Sequence, residues 1–268
     1  MANTQTLHSG QIIEIEQLIN KVSRKQLEDF GRINSEIKPD GSLITECDRW
    51  SDESIVNGIH QIAPNEGVLS EEGSKNVPES NAYWIVDPLD GTTNFAAGIP
   101  FWSISIARFV NGEPESAFLD IPALNTRFIA VRNKGVLINN KAFKGVTNSN
   151  NKSECISLCS RTINMLQTKT NKAFPGKIRI LGVSSLNMIS VATGQTFGAV
   201  EATPKIWDIA ASWLILSELR CIIKWLKNDP KHIKQGQDLS QVNFPLIAVN
   251  SEKNLEKIAP LGNIINAN

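Results

Sequence analysis

Histidine and cysteine are scarce in this chain: three and four among 268 residues. Cys47, Cys155, Cys159 and Cys221 form no C-x-x-C pair, and His8, His60 and His232 are scattered. Neither a zinc site nor a disulfide framework is expected from such a set. Net charge is missing as well. The 27 Lys+Arg balance 27 Asp+Glu, which argues against a dedicated nucleic-acid binder. No apolar run approaches the ~18 residues of a membrane span. The polar stretch from Met1 to Gly10 also lacks the apolar core of a signal peptide. The expected setting is soluble, reducing and cytoplasmic, with no membrane and no nucleic acid among the partners. What the chain does hold is 41% hydrophobic and 20% charged residues. That balance excludes intrinsic disorder and allows a large core, in one domain or two packed lobes.

Ile12, Ile15, Ile19 and Val22 recur at helical spacing. Ile13 and Leu18 widen the apolar face, and Leu27, Phe30 and Ile33 prolong it, which predicts a helix over 11–34. Lys38-Pro39-Asp40-Gly41 reads as a hairpin tip leading into Leu43-Ile44-Thr45. A second helix is expected over 48–62, with Ile55, Val56, Ile59 and Ile62 inward and Pro64 beyond its end. Gly67-Val68-Leu69 and Tyr83-Trp84-Ile85-Val86 read as buried strands, and each runs into carboxylates. From Phe101 to Phe143 the pattern is β-rich, with a turn at Asn111-Gly112. A polar linker, Thr147 to Glu154, precedes strands near 155–158, 178–181 and 199–202 and helices near 185–193 and 208–219. The mixture predicts an α/β (α+β) architecture, with an N-terminal lobe at 1–146 and a C-terminal lobe at 147–268.

The chemistry concentrates in Trp84-Ile85-Val86-Asp87-Pro88-Leu89-Asp90-Gly91-Thr92-Thr93-Asn94-Phe95. Asp87 leaves a buried strand, where an isolated charge is costly. A proline-containing turn is expected to hold Asp90 close to it, so a pKa is pushed upward unless a cation neutralises the pair. Carboxylates and the Leu89 carbonyl are hard oxygen donors that suit Mg²⁺ rather than zinc. Gly91 lets a ligand approach the backbone, and the N–H groups of Gly91, Thr92 and Thr93 open a short helix suited to phosphate. The same pentapeptide is also a good β-turn in its own right. Likewise, Glu71-Glu72 fits an exposed loop and Asp208 fits a helix N-cap. Glu201, on an apolar strand, is harder to explain without a partner. Trp84 and Trp207 read as core, His60 as surface, and Cys155 and Cys159 as buried small hydrophobes.

Context decides between these readings. The segment Trp84–Phe95 closely resembles the signature of the inositol monophosphatase family. The family's other blocks stand in order. Thr45-Glu46-Cys47-Asp48 is similar to its Thr-x-x-Asp element, Ser70-Glu71-Glu72-Gly73 to its paired glutamates, and Trp207-Asp208-Ile209-Ala210-Ala211 to its Trp-Asp-x-Ala-Ala helix start. The resemblance implies a layered αβαβα sandwich of the sugar-phosphatase type, commonly dimeric. It also implies an Mg²⁺-dependent, lithium-sensitive phosphomonoester hydrolase acting on a small phosphorylated polyol or sugar, with the active site between the lobes. Carried over residue by residue, Glu71, Asp87 and the Leu89 carbonyl would hold one Mg²⁺. Asp87, Asp90 and Asp208 would hold a second, and Asp48 with Glu71 a weaker third. Thr92 and Glu71 would orient the attacking water, Gly91 and Thr92 would grip the phosphate, and Glu201 would bind substrate hydroxyls. Thr93-Asn94-Phe95 looks like the inositol-phosphatase branch, so inositol 1-phosphate is the expected substrate. Sugar phosphates or histidinol phosphate are the alternatives, and a non-catalytic phosphoinositol- or nucleic-acid-binding paralogue is the alternative of another class.

Two departures stand out. Gly73 replaces the hydroxyl residue that usually follows the glutamate pair. Glu218-Leu219-Arg220-Cys221 replaces the usual Glu-Ala-Gly-Gly, so a different helix-to-strand turn is expected. The zero net charge is also uneven. Residues 46–90 hold ten acids against Arg49 and Lys75, whereas 121–200 hold eleven Lys+Arg against Glu154. A basic lobe beside an acidic pocket is expected to attract an anionic ester.

Overall fold

The apolar stripe of the first helix governs how the N-terminal half assembles. The computed structural model describes residues 6–39, 41–146, 153–167 and 174–266, so Asp40 and residues 147–152 of the expected linker lie outside it. Helix α1 (Ser9–Asp29) buries Ile15, Ile19 and Val22. Its apolar face is narrower than expected, with Ile13 and Leu27 exposed. The helix also stops five residues before the expected end, because Phe30 turns to extended ψ. Phe30 and Ile33 instead reach a separate aromatic cluster, in which the Phe30 ring stacks on Trp102 at 4.5 Å. Strands β1 (Ser35–Ile37) and β2 (Leu43–Thr45) form the expected antiparallel hairpin. Helix α2 (Glu46–Ile62) follows at once, with Thr45 and Asp48 closing a reciprocal capping box.

Strands β3 (Gly67–Ser70) and β4 (Ala82–Asp90) pair in parallel. β4 corrects one expectation. The chain does not leave the sheet at Asp87 but continues through Pro88 to Asp90, with a register shift against its neighbour between those aspartates. Pro88 is tolerated at such an irregularity because no ladder N–H is required of it. A single turn, α3 (Thr92–Ala96), follows. The antiparallel strands β5 (Ser103–Val110), β6 (Glu113–Ile121), β7 (Thr126–Val131), β8 (Gly135–Ile138) and β9 (Lys141–Phe143) complete a seven-stranded sheet in chain order from β3.

The second half supplies β10 (Cys155–Leu158), α4 (Ser160–Gln167), β11 (Lys177–Arg179), α5 (Ser184–Ala192), β12 (Gly198–Glu201) and α6 (Ile206–Glu218). Three elements that the sequence reading did not place follow: β13 (Ile222–Trp225), β14 (Leu246–Val249) and α7 (Glu252–Asn266). The five strands form a mixed sheet ordered β11-β10-β12-β14-β13.

Burial sets the order of the layers. One core joins Ile15, Ile19, Ile55 and Ile59 of α1 and α2 to Trp84, Ile104 and Phe118 on one face of the large sheet. Another joins Ile85, Phe109 and Leu119 on its opposite face to α5, α6 and the inner face of the small sheet, at Ala199 and Ala248. A third joins the outer face of the small sheet, at Val200 and Ile247, to α4 and α7 through Leu166 and Ile258. The order is therefore helices, sheet, helices, sheet, helices, which is the expected αβαβα sandwich. Helix α6 is apolar almost all round because it lies between two sheets. Cys155 and Cys159 are half-buried rather than buried.

Candidate active site

Carboxylates from three parts of the chain meet where the ends of β3 and β4 face the start of α6. Oxygens of Glu71, Asp87 and Asp208 lie within 4.8 Å of one another. Asp87 is fully buried, while Glu71 and Asp208 are half-buried at the wall of a cleft of about 550 Å³. Asp208 is not the N-cap of α6 but lies in its first turn, where its Oδ2 accepts the Lys205 N–H at 2.9 Å. Asp87 Oδ1 accepts the Leu89 N–H at 3.0 Å. Asp87 Oδ2 is buried and has no hydrogen-bond donor.

Asp90 stands in the same cleft but looks the other way. Its Oδ2 accepts the N–H of Ser185 at 2.9 Å and the Ser185 hydroxyl at 2.5 Å. Gly91 turns the chain from β4 into α3 with φ of 105°. A Cβ there would lie 2.7 Å from Val183 and 3.1 Å from the Phe101 carbonyl, so glycine is required for both space and angle. Thr92, one residue on, donates its hydroxyl to Asp48 Oδ1 at 2.7 Å. The capping box of α2 holds Asp48, whose Oδ2 accepts the Thr45 N–H at 2.7 Å and the Thr45 hydroxyl. A threonine hydroxyl has one proton, so giving it to Asp48 leaves the Thr92 oxygen as an acceptor towards the cleft. Below the site, the fully buried Gln26 of α1 donates to the Pro88 carbonyl at 2.8 Å and accepts the Trp102 indole N–H at 2.9 Å. That contact fixes the irregular end of β4 from beneath.

Burial raises the pKa of every carboxylate here. Asp87 and Asp208 stand well above the usual range, chiefly through burial and then through neighbouring carboxylates. Asp90 is raised to about 6 by burial, against the Ser185 hydrogen bonds that favour its charged form. Glu71 is raised by burial, with Lys38 opposing. Glu72 is pushed to about 7 by burial and by Glu71. Lys38 Nζ bridges that pair, at 3.1 Å from Glu71 and 2.6 Å from Glu72. So many acids in one place are stable only when protonated or when a cation lies among them.

The far wall comes from the second half of the chain. Glu201 is buried at the end of β12 yet lines the cleft. Its Oε1 accepts the Asn187 amide at 2.6 Å and its Oε2 the Ser184 hydroxyl at 2.9 Å. Arg161 and the half-buried Cys159 lie beside it on the same wall. The structure thus draws Glu71, Asp87, Asp90, Thr92, Glu201 and Asp208 to one cleft, with Asp48 directly behind Thr92. The sequence reading missed Ser184, Ser185 and Asn187, and took Lys38 only as part of a turn. Nothing local marks the serines, since the partner of Ser185 is 95 residues away.

Comparison with known proteins accords with this geometry. The model of the inositol monophosphatase family matches residues 9–261. A Thermotoga maritima protein named fructose-1,6-bisphosphatase/inositol-1-monophosphatase is 31% identical over 211 residues, covering 75% of this chain and 79% of its own. A Pasteurella multocida protein named Nus factor SuhB is 32% identical over 195 residues, covering 69% and 73%. The solved structure of a Thermotoga maritima inositol monophosphatase superposes with a TM-score of 0.78 at 26% identity, covering 97% of this chain and 99% of that one. Such a site on such a fold defines a phosphomonoester hydrolase. The chain belongs to the inositol monophosphatase family.

Proposed function

We propose that the chain hydrolyses the phosphate ester of a small polyhydroxylated molecule, with inositol 1-phosphate as its substrate and Mg²⁺ as its metal. One observation carries the reading: the buried Asp87 Oδ2, without a donor, among acidic oxygens from Glu71 and Asp208. An all-oxygen, carboxylate-rich donor set of this kind fits a hard divalent cation. Glu71, Asp87 and the Leu89 carbonyl would hold one ion and Asp87, Asp90 and Asp208 a second. Asp48 and Glu71 are the candidates for a weaker third. Bound there, such ions would supply a nucleophile at neutral pH and offset charge on the leaving oxygen.

The protein's own groups account for the rest. The first N–H groups of α3 have no intrahelical acceptor, which suits Gly91 and Thr92 to a phosphate oxygen. Thr92, committed as donor to Asp48, presents an acceptor that orients a water, and Glu71 takes a proton from it. Glu201 is fixed by Asn187 and Ser184, and offers the cleft a carboxylate for substrate hydroxyls. Thr93-Asn94-Phe95 supports an inositol phosphate over other sugar phosphates or histidinol phosphate.

The test is phosphate release from inositol 1-phosphate, fructose 1,6-bisphosphate, histidinol phosphate and phosphoadenosine phosphate, with and without Mg²⁺. Highest kcat/KM on inositol 1-phosphate, lost on chelation and in Asp90→Asn, is the expected result. Turnover of none of them would overturn the catalytic reading and favour a binding role, to which the Nus-factor name of one relative would then direct attention.

A further inference from the structure

Helix α5 begins without a cap of its own. Its N-cap residue is Val183, whose side chain can accept nothing. Asp90 from the large sheet makes up for it. Its Oδ2 accepts from the Ser185 N–H and the Ser185 hydroxyl, as an N-cap side chain would. The Ser185 hydroxyl has one proton, which it gives to Asp90. The 2.7 Å contact between the Ser185 and Ser103 hydroxyls is therefore donated by Ser103, which faces Asp90 in the ladder. The next carboxylate is held from the same turn. Ser184 donates to Glu201 Oε2 and Asn187 to Glu201 Oε1. Asn187 is fully buried, and its own oxygen accepts the Ser157 hydroxyl at 2.5 Å. Two adjacent serines thus grip two different carboxylates, one on the metal side of the cleft and one on the substrate side.

We infer that the first turn of α5 is the positioning element of this site. Ser185 aims Asp90 at the cation, while Ser184 with Asn187 aims Glu201 at the substrate hydroxyls. With one Asp90 oxygen committed to Ser185, the other is left for the cation. Helix α5 is buried from Ser185 to Ala192, so close packing holds its first turn in place. Ser185 is buried behind Asp90 and acts through it, while Ser184 lines the cleft and holds Glu201 there. The inference rests on the function proposed above, although its metal-side half is readable without turnover.

The experiment compares the full-length Ser185→Ala and Ser184→Ala variants. Divalent-cation affinity is measured by titration calorimetry on metal-free protein, and KM for inositol 1-phosphate at saturating Mg²⁺. Ser185→Ala is expected to weaken Mg²⁺ binding by about tenfold, the usual scale for loss of a group that orients a metal ligand, with KM nearly unchanged. Ser184→Ala is expected to raise KM about fivefold, the scale of one lost hydrogen bond, with Mg²⁺ affinity unchanged. Ser185→Thr keeps the hydroxyl and is expected to restore metal affinity. Equal shifts of both quantities in both variants, or unchanged metal affinity in Ser185→Ala, would overturn the inference. No turnover by the wild type would sink the proposed hydrolysis instead, and the contrast in metal affinity would still decide the role of Ser185.

Discussion

Asp87 has one oxygen satisfied by the Leu89 N–H and one, Oδ2, buried with no donor. In the metal-free protein that is a cost, since an unpartnered buried carboxylate is held against its own desolvation. Asp87→Asn is therefore expected to lower kcat by at least about 100-fold while leaving the metal-free melting temperature unchanged or raised. A drop in that temperature would show that the carboxylate serves the fold rather than a cation. The raised pKa values set a pH dependence of definite sign. A carboxylate whose pKa is higher folded than unfolded binds more protons when folded, so stability is lost as pH rises through its folded value. Asp90, raised to about 6, and Glu72, raised to about 7, place that loss between about pH 4 and 7. Metal-free melting temperature should fall across that window, and saturating Mg²⁺ should restore more at pH 7.5 than at pH 4.5. A flat profile would contradict the cluster's electrostatics. At this scale, the acids were legible because their motifs are contiguous in sequence. Ser184, Ser185 and Asn187 were not, because what gives them meaning is a tertiary contact with no local pattern.

Elements show the same division. The stripe Ile15, Ile19, Val22 specified α1, yet Phe30 and Ile33 continue the apolar pattern outside the helix, where they serve the cluster around Trp102. Hydrophobic periodicity reports burial, and cannot say which neighbour does the burying. The Asp-Pro-Leu-Asp segment reads as a turn by composition but stays in the sheet, because Gln26 and the β5 ladder hold it there. The absent glycines after α6 have a plain outcome. Arg220 adopts φ of 59°, its N–H bonding the Ser217 carbonyl and the Cys221 N–H the Leu216 carbonyl, which completes a Schellman motif without glycine. Glu218 just before it receives the N–H groups of Asn133 and Gly135, both at 2.8 Å, and pins the β7–β8 turn. Arg220 is exposed, so Arg220→Gly should relieve the left-handed strain. A gain of about 0.5–1 kcal/mol in urea unfolding is expected, without change in kcat. A loss of stability would mean that the arginine side chain has a role of its own. Gly91→Ala is the opposite case. Its clashes with Val183 and Phe101 and its positive φ should cost about 1–3 kcal/mol and disturb the phosphate-facing turn.

At the scale of the whole molecule, five layers bring the ends of β3 and β4, the start of α6 and the end of β12 to one cleft, which no single half of the chain could build. The uneven charge also acquires a location. The acidic stretch 46–90 supplies Asp48, Glu71, Asp87 and Asp90 to the site or its immediate support. Among the described residues of the basic stretch 121–200, several basic side chains are paired away from the cleft. Arg127 pairs with Asp120, Arg132 with Glu113 and Lys177 with Glu154. Among the described residues, Arg161 is the one Lys or Arg that lines the cleft. In the proposed function, cations bound among the acids would add to Arg161 in attracting an anionic ester. The layer order followed from the family resemblance and the acidic cluster from the motifs that carry it, while periodicity gave the mixed α/β class. The charge partition was legible only as blocks of sequence, and blocks of sequence are not surfaces. The most direct measurement of the central claim is the rate of phosphate release from inositol 1-phosphate by the purified protein, titrated with Mg²⁺ after chelation, beside Asp87→Asn. Turnover that appears only with Mg²⁺ and is lost in the variant is the expected result. Metal-independent turnover, or equal rates in the two proteins, would contradict it.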